Sequence, residues 1–165
     1  MQMLIKLVLE GIGLGAILVA VCGAGIWNGA VGMVHLYHKD VQDRCVELGY
    51  TTHERIKKRA AKNRRISMPV YIAYVVACVY GINGARGFTQ GFLQLFVILS
   101  VMNLIDRFLI DEYWVGHTKK WIIPGTEDLQ PYINAKDKVQ KWLSGTIGMA
   151  VFAAAIAGVM TLIIR

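Results

Sequence analysis

Two long apolar runs constrain this chain more than any other feature of its sequence. Residues 7–36 contain a single formal charge, Glu10, and residues 142–164 contain none. Either run reaches the roughly 20 apolar residues that a helix needs to cross a bilayer. A soluble protein of 165 residues has no core large enough to bury both runs. The chain is therefore predicted to be an integral membrane protein.

Two weaker apolar runs lie between these, so four transmembrane helices are predicted. Ser67 and Pro69 are expected to begin the second span, because serine caps free N–H groups and proline is tolerated in the first helical turn. The predicted fold class is all-α: a polytopic integral membrane protein, a single domain over residues 1–165, with two basic cytoplasmic loops. The expected spans are about 11–36, 68–85, 88–110 and 142–164, and the loops are about 39–67 and 112–141.

The distribution of basic residues predicts the orientation. Residues 39–65 hold nine Lys and Arg and residues 118–141 hold five, whereas the other side offers only Lys6, Arg86 and Arg165. Because cytoplasmic loops carry the excess of Lys and Arg, both loops are expected in the cytoplasm and both termini outside. The expected location is a cytoplasmic membrane, plasma or bacterial inner. The formal net charge of +7 is explained by topology, so nucleic acid is not an expected partner.

The first loop contains two predicted helical segments. Span one is expected to continue as a helix as far as Gly49, since glycine commonly follows a helix end. Thr51 and Glu54 have the spacing of a capping box, which predicts a short basic helix. The segment Arg55 to Arg65 is expected to lie on anionic lipid headgroups, or else to act only as a topogenic charge cluster.

The second loop is expected to contain a turn and two helix starts. Pro124 and Gly125 suit the centre of a type II turn, and Thr126 suits the start of a helix. Asn134 and Asp137 are expected to cap the fourth span.

Small residues recur every four positions in the outer spans, as at Gly11 and Gly15, or at Ala150 and Ala154. Such residues permit close approach of helices in lipid. They are explained equally by packing inside one monomer and by a homo-oligomer or another membrane partner. Cys22, Cys45 and Cys78 have no metal-ligand spacing and are expected to be buried thiols.

Polar residues are concentrated where span three leaves the apolar run. On an ideal helix Asn103, Asp106, Arg107 and His117 share one face, with Asp111 at its margin. Ionisable groups inside a membrane are costly and commonly functional. The alternative is that Asp106 and Arg107 neutralise each other or a neighbouring helix near the headgroups, while the other polar side chains only extend to the interface.

Two histidines of span one are expected at a matching depth. His35 and His38 lie three residues apart, and with Asp106, Asp111 and His117 they form a candidate set of ligands for a divalent metal, the one cofactor suggested. Such a metal would polarise a phosphate or generate a hydroxide. Asp106, Asp111, His117 and Arg107 are the candidate catalytic residues, and Lys119 with Lys120 is a candidate clamp for an anion or headgroup.

Three functions follow from these features. The first is an accessory or interaction module that works through its cytoplasmic loops. The second is a membrane-embedded, metal-dependent enzyme acting on a lipid or phosphorylated headgroup at the inner interface. The third is an oligomeric transport or channel subunit with a polar path along Asn28, Asn103, Asp106 and Arg107.

Overall fold

A computed structural model describes residues 1–27, 29–133 and 135–164, with the backbone alone for residues 135–137. In this part of the chain all regular structure is helical, and no strand occurs. Four helical stretches are long and apolar enough to cross a membrane. These candidate spans are Gln2–Ile26, His53–Ile82, Gly87–Val115 and Lys138–Ile163. The helices are α1 (Gln2–Ile26), α2 (Lys39–Glu47), α3 (His53–Val76), α4 (Gly87–Ile105) and α5 (Ala135–Ile163), with π-helical continuations of α3 over Ala77–Ile82 and of α4 over Asp106–Val115.

The four spans alternate in direction along the chain. The Tyr74 hydroxyl, near the end of α3, donates a hydrogen bond at 3.0 Å to the main-chain carbonyl oxygen of Glu10, in the first half of α1. The end of α3 therefore lies beside the first half of α1. Gly11 of α1 lies against Val101 and Gly15 against Ile105, so α1 and α4 run in the same direction. The two long connections therefore lie together at one end, the loop end, and the chain termini lie at the other, the terminal end.

The predicted continuous helix from span one to Gly49 is wrong. Helix α1 ends at Ile26, and the chain turns at Gly29, whose φ is 96°, into a 3₁₀ helix over Ala30–Leu36. The apolar residues of this 3₁₀ helix pack within the loop end, which is why the run extends beyond the helix that could cross lipid. Helix α2 is separate, and Gly49, with a φ of 76°, ends it as the sequence predicts.

The predicted break between the basic helix and the second span is also absent. Helix α3 contains both, with Pro69 inside it. The Ser67 hydroxyl donates to the carbonyl oxygen of Asn63 at 2.8 Å and does not cap a helix. At the start of α3 the cap is Thr52, whose hydroxyl oxygen accepts from the amide of Arg55 at 3.3 Å. Thr51, the predicted cap, is buried instead.

Some small residues of the spans pack inside the monomer, whereas Ala16, Ala20 and Ala24 of α1 are exposed. A Cβ at Gly11 would lie 2.5 Å from Cβ of Val101, and Ala153 and Ala157 of α5 have no exposed surface. These contacts belong to an apolar core toward the terminal end, the span core, which also includes Leu14, Val75, Leu95 and Ile98. Homo-oligomerisation stays a prediction.

A second core lies at the loop end, where residues 29–56 and 116–133 fold together into what we call the cap. Its buried side chains include Val41, Cys45, Ile56, Trp121 and Ile123. Both connections contribute, and so do the first turn of α3, Cys22 and Ile26 of α1, and Ile110 of the π-helical segment after α4. The two basic loops are therefore parts of one folded unit.

The second connection partly follows its predicted local structure. Gly125 has a φ of 83°, and the amide of Thr126 donates to the carbonyl of Ile123 at 3.1 Å, as a type II turn requires. The helix predicted after Thr126 is a single 3₁₀ turn, Glu127–Leu129. The predicted cap at Asn134 and Asp137 lies outside the described residues and side chains.

Candidate functional site

The polar residues of span three lie at the start of the π-helical segment Asp106–Val115. A π-helix turns less per residue than an α-helix, so faces calculated for an α-helix do not hold beyond Asp106. The predicted single polar face is accordingly divided. Arg107 and Asn103 lie against Gly145 of α5, where a Cβ would be 3.1 Å from a guanidinium nitrogen. Asp106 lies toward the cap and α1.

Asp111 is the centre of an ion-pair network between α4 and α5. One of its carboxylate oxygens accepts from Nη1 of Arg107 at 3.2 Å and from Nζ of Lys141 at 3.3 Å. The other terminal nitrogen of Arg107, Nη2, donates to the carbonyl oxygen of Lys141 at 3.3 Å. The Arg107 and Asp111 side chains are only 13% and 17% exposed. The predicted neutralisation of Arg107 therefore occurs, but through Asp111 rather than Asp106.

Asp106 lines a cavity of about 180 Å³ where the spans meet the cap. Within the described residues, no hydrogen bond or ion pair engages its carboxylate. Asp111 and Lys141 line the same cavity, as do Cys22 of α1 and Tyr37 and His38 of the cap. The cavity thus brings together three of the predicted site residues, Asp106, Asp111 and His38.

His35 is placed apart from this cavity. Both of its ring nitrogens are buried without a hydrogen-bond partner in the described structure. Burial lowers the pKa of His35, and the nearby Arg59 guanidinium lowers it further. Arg59 is itself fixed there, because Nη1 donates to the carbonyl oxygen of Val31 at 2.8 Å. His35 is thus a neutral side chain of the cap rather than a wall of the cavity.

The predicted metal ligands are not assembled into one centre. Across residues 1–27, 29–133 and 135–164, no group of three or more His, Cys, Asp or Glu side chains is arranged to hold a metal ion. His35 lies outside the cavity that contains His38, and His117 lines a neighbouring cavity of about 280 Å³.

The two lysines of the predicted clamp point to different surfaces. Lys119 lines the neighbouring cavity with His117, whereas Lys120 lines a groove with Trp27 and Trp114. Nδ1 of His117 lies 3.0 Å from the carbonyl oxygen of Glu112, within hydrogen-bond range. Lys119 and Lys120 therefore do not face one anion together.

Several residues of the site were not predicted. On the sequence alone, Lys141 is only one of the basic residues of the second loop. Nothing in its local sequence indicates that it pairs with Asp111. Tyr37 was not singled out either, although its hydroxyl donates to the carbonyl oxygen of Trp121 at 2.6 Å, across the cap. Away from this site, Glu10 carried a usable signal as the one charge of its run, and its carboxylate accepts from the Asn83 amide at 2.9 Å.

The chain has no significant match to a protein-family model, a curated protein or a solved structure. Function is therefore argued below from the side chains and their surroundings.

Proposed function

We propose that this protein is a membrane-anchored interaction module that presents the cap on the cytoplasmic side of a cytoplasmic membrane. The observation that carries the proposal is the shared core of the two loops. Arg44 of α2 donates to the carbonyl oxygen of Gly125 at 3.3 Å, and a Cβ at Gly125 would lie 2.7 Å from Leu48. Loops needed only to join spans would have no reason to bury a common core.

The basic part of α3, which begins in the cap and continues beyond it, supplies the means of recognition. Along α3 the cations Arg55, Lys57, Lys58, Lys62 and Arg65 are all exposed, while Ile56 between them is buried in the cap. Fixing this helix on a core presents its cations as one rigid array. Near a membrane, each such cation contributes about 1 kcal/mol toward binding anionic headgroups. An acidic protein surface or anionic lipid is the partner class that this array fits.

Orientation is the first part of the proposal to test. A membrane-impermeant maleimide is added to intact cells that express Lys58→Cys or Arg86→Cys. The native cysteines are buried, so their background labelling should be low. We expect labelling of Arg86→Cys and protection of Lys58→Cys until the membrane is opened. The reverse pattern would place the cap outside the cell and reject the orientation.

Interaction is tested by photocrosslinking from the cap in living cells. Tyr50 and Leu48 are both 43% exposed on the cap, whereas Ile82 is 64% exposed at the terminal end. A photoreactive amino acid at either cap position should give a discrete protein crosslink that Lys57→Glu with Lys58→Glu weakens. The same probe at Ile82 is the control. Absence of any protein crosslink from the cap would contradict the interaction function.

The enzymatic hypothesis is a second candidate, favoured by the cavity shared by His38, Asp106 and Asp111. Elemental analysis of the protein purified in mild detergent tests its metal-dependent form. Bound or acquired metal that Asp106→Asn removes would support it, and a metal-free protein that takes up none would reject that form. The transport hypothesis stays a prediction, for which flux into liposomes is the direct measurement.

A further inference from the structure

The cavity between the spans and the cap has room for more than solvent. A cavity needs only about 10–15 Å³ to hold one water molecule, whereas this one measures about 180 Å³. It lies at the loop end of the bundle, beside residues Ile110 and Val115 near the end of the third span. A small organic group at the level of the lipid headgroups would fit there.

Asp106 is the acid of this cavity that no ion pair or hydrogen bond engages in the described structure, although Arg107 and Lys141 also attract its charge from farther away. The carboxylate of Asp111 also lines it but is already held by Arg107 and Lys141 at 3.2 and 3.3 Å. Asp106 has no such cation within the described structure, and a partly buried carboxylate without a partner is costly. A cation in the cavity would remove that cost.

Aromatic rings form much of the remaining wall. Tyr37 and Tyr132 meet edge to face with ring centroids 5.2 Å apart, and Trp121 lies 6.4 Å from Tyr37. Both tyrosine hydroxyls are engaged by the protein, that of Tyr37 with Trp121 and that of Tyr132 with Ile123 and Thr126. The two tyrosine rings therefore offer carbon surface and π-electrons rather than free hydroxyl groups, and such surfaces attract organic cations. Nε1 of Trp121 is buried without a hydrogen-bond partner in the described structure.

We propose that this cavity binds an organic ammonium group, with the Asp106 carboxylate as its counter-ion and Tyr37, Trp121 and Tyr132 as its wall. A single unengaged carboxylate with aromatic neighbours suits a cation that has an apolar body. A divalent metal ion prefers several oxygen or nitrogen ligands. The ammonium group belongs either to a zwitterionic phospholipid headgroup or to a soluble amine. Binding here does not depend on what the cap recognises, so either proposal can fail alone.

The test uses the full chain in mild detergent, titrated with tetramethylammonium chloride while tryptophan fluorescence is recorded. Sodium chloride at equal ionic strength is the salt control. We expect a saturable change for the wild type and for Glu47→Gln, which removes an exposed acid outside the cavity. Asp106→Asn should weaken binding about 10- to 100-fold, because it removes the Coulomb attraction between the quaternary ammonium and the carboxylate.

Lipid analysis distinguishes the two sources of the ammonium group. The protein is extracted from vesicles of equal phosphatidylethanolamine and phosphatidylglycerol, and the retained lipid is quantified by mass spectrometry. Retention of phosphatidylethanolamine by the wild type but not by Asp106→Asn would identify a headgroup, even without a response to tetramethylammonium. Saturation by tetramethylammonium without lipid preference would identify a soluble amine. Neither result, or equal binding by Asp106→Asn, would overturn the proposal.

A probe of the unmodified protein covers the case in which Asp106→Asn does not fold. A quaternary ammonium compound carrying a diazirine is photolysed with the wild type, and labelled peptides are identified by mass spectrometry. Labelling should fall on peptides that contain Tyr37, Trp121 or Tyr132 and should decrease when tetramethylammonium is present in excess. Labelling confined to other peptides would reject this cavity as the site.

Discussion

The cap core and the span core differ in how their side chains pack. In the cap, large aromatic residues are buried and joined by long-range hydrogen bonds, as between Tyr37 and Trp121. In the span core, helices approach closely at glycine and alanine, as where Gly11 meets Val101. One chain thus uses two kinds of packing at its two ends.

If the candidate spans lie in a bilayer, as we propose, the difference follows from the solvent at each end. In water, burying an aromatic side chain removes a large apolar area from solvent, which is the main driving force for folding. Lipid tails are as apolar as the side chains themselves, so helices associate through close van der Waals contact, which small residues permit. The cap should therefore be sensitive to the loss of side-chain volume at Trp121, and the span core to added volume at close contacts such as Gly11.

The largest expected effect is on the cap. Trp121→Ala removes a side chain that is 2% exposed, and such a truncation costs about 3–5 kcal/mol. Limited proteolysis should cut the cap connections much faster, while the four spans remain protected. Trp27→Ala is the matched control, because Trp27 is 87% exposed. Equal protease resistance of the two variants would mean that the cap does not depend on its core.

The next largest loss of stability is expected in the span core, where the substitution adds side-chain volume instead of removing it. Gly11→Val places a side chain where even a Cβ would be 2.5 Å from Cβ of Val101, and overpacking of this kind costs about 1–3 kcal/mol. Gly148→Val is the control, since nothing lies within 4 Å of a Cβ there. Unfolding in a detergent titration should shift for Gly11→Val alone. A shift of equal size in the control would indicate helix propensity rather than packing.

Much of the fold was predictable because long apolar runs form long helices. The number of apolar runs is four, and four helices have the required length and composition, although their ends differ from those expected. The bounds failed where apolar residues serve the cap instead of lipid, as at Met33 and Val34. The composition of an apolar run does not show whether its residues belong to a membrane-spanning helix or to the core of the cap.

The sequence indicated where the polar residues of the site would lie, but not which side chains would contact each other. Depth matching placed His38, Asp106 and Asp111 at one level, and these residues line one cavity because α1 and α4 run in the same direction. It failed for His35, since the chain leaves the helix after Ile26. The pairing of Lys141 with Asp111 depends on how α4 faces α5, and no local pattern encodes that contact.

A smaller effect, the dependence of stability on pH, should distinguish the cap core from the span core. Because the pKa of His35 is lowered in the folded cap, the unfolded chain binds its proton more readily. Stability from this group is complete above the unfolded pKa of about 6.5 and is lost as pH falls below it. Proteolysis of the cap should therefore be faster at about pH 5 than at about pH 8, and His35→Leu should reduce that difference.

His53→Leu is the control for the pH effect, because His53 is 59% exposed and lies 3.7 Å from Asp43. The span core contains neither histidine, so its detergent-induced unfolding should respond less to the same pH change. A pH response that is unchanged in His35→Leu would assign the effect to another group.

The smallest expected effect distinguishes the aromatic core of the cap from its surface ion pair. Arg44 and Asp128 join the two connections at 3.3 Å, but their side chains are 36% and 60% exposed. Exposed pairs contribute about 0–1 kcal/mol, so Asp128→Asn should barely change cap proteolysis, and added salt should change it no more. If Asp128→Asn instead matched Trp121→Ala, the connections would be held by charge rather than by their shared core. The contrast between an aromatic cap and a small-residue span core would then not explain the stability of the cap.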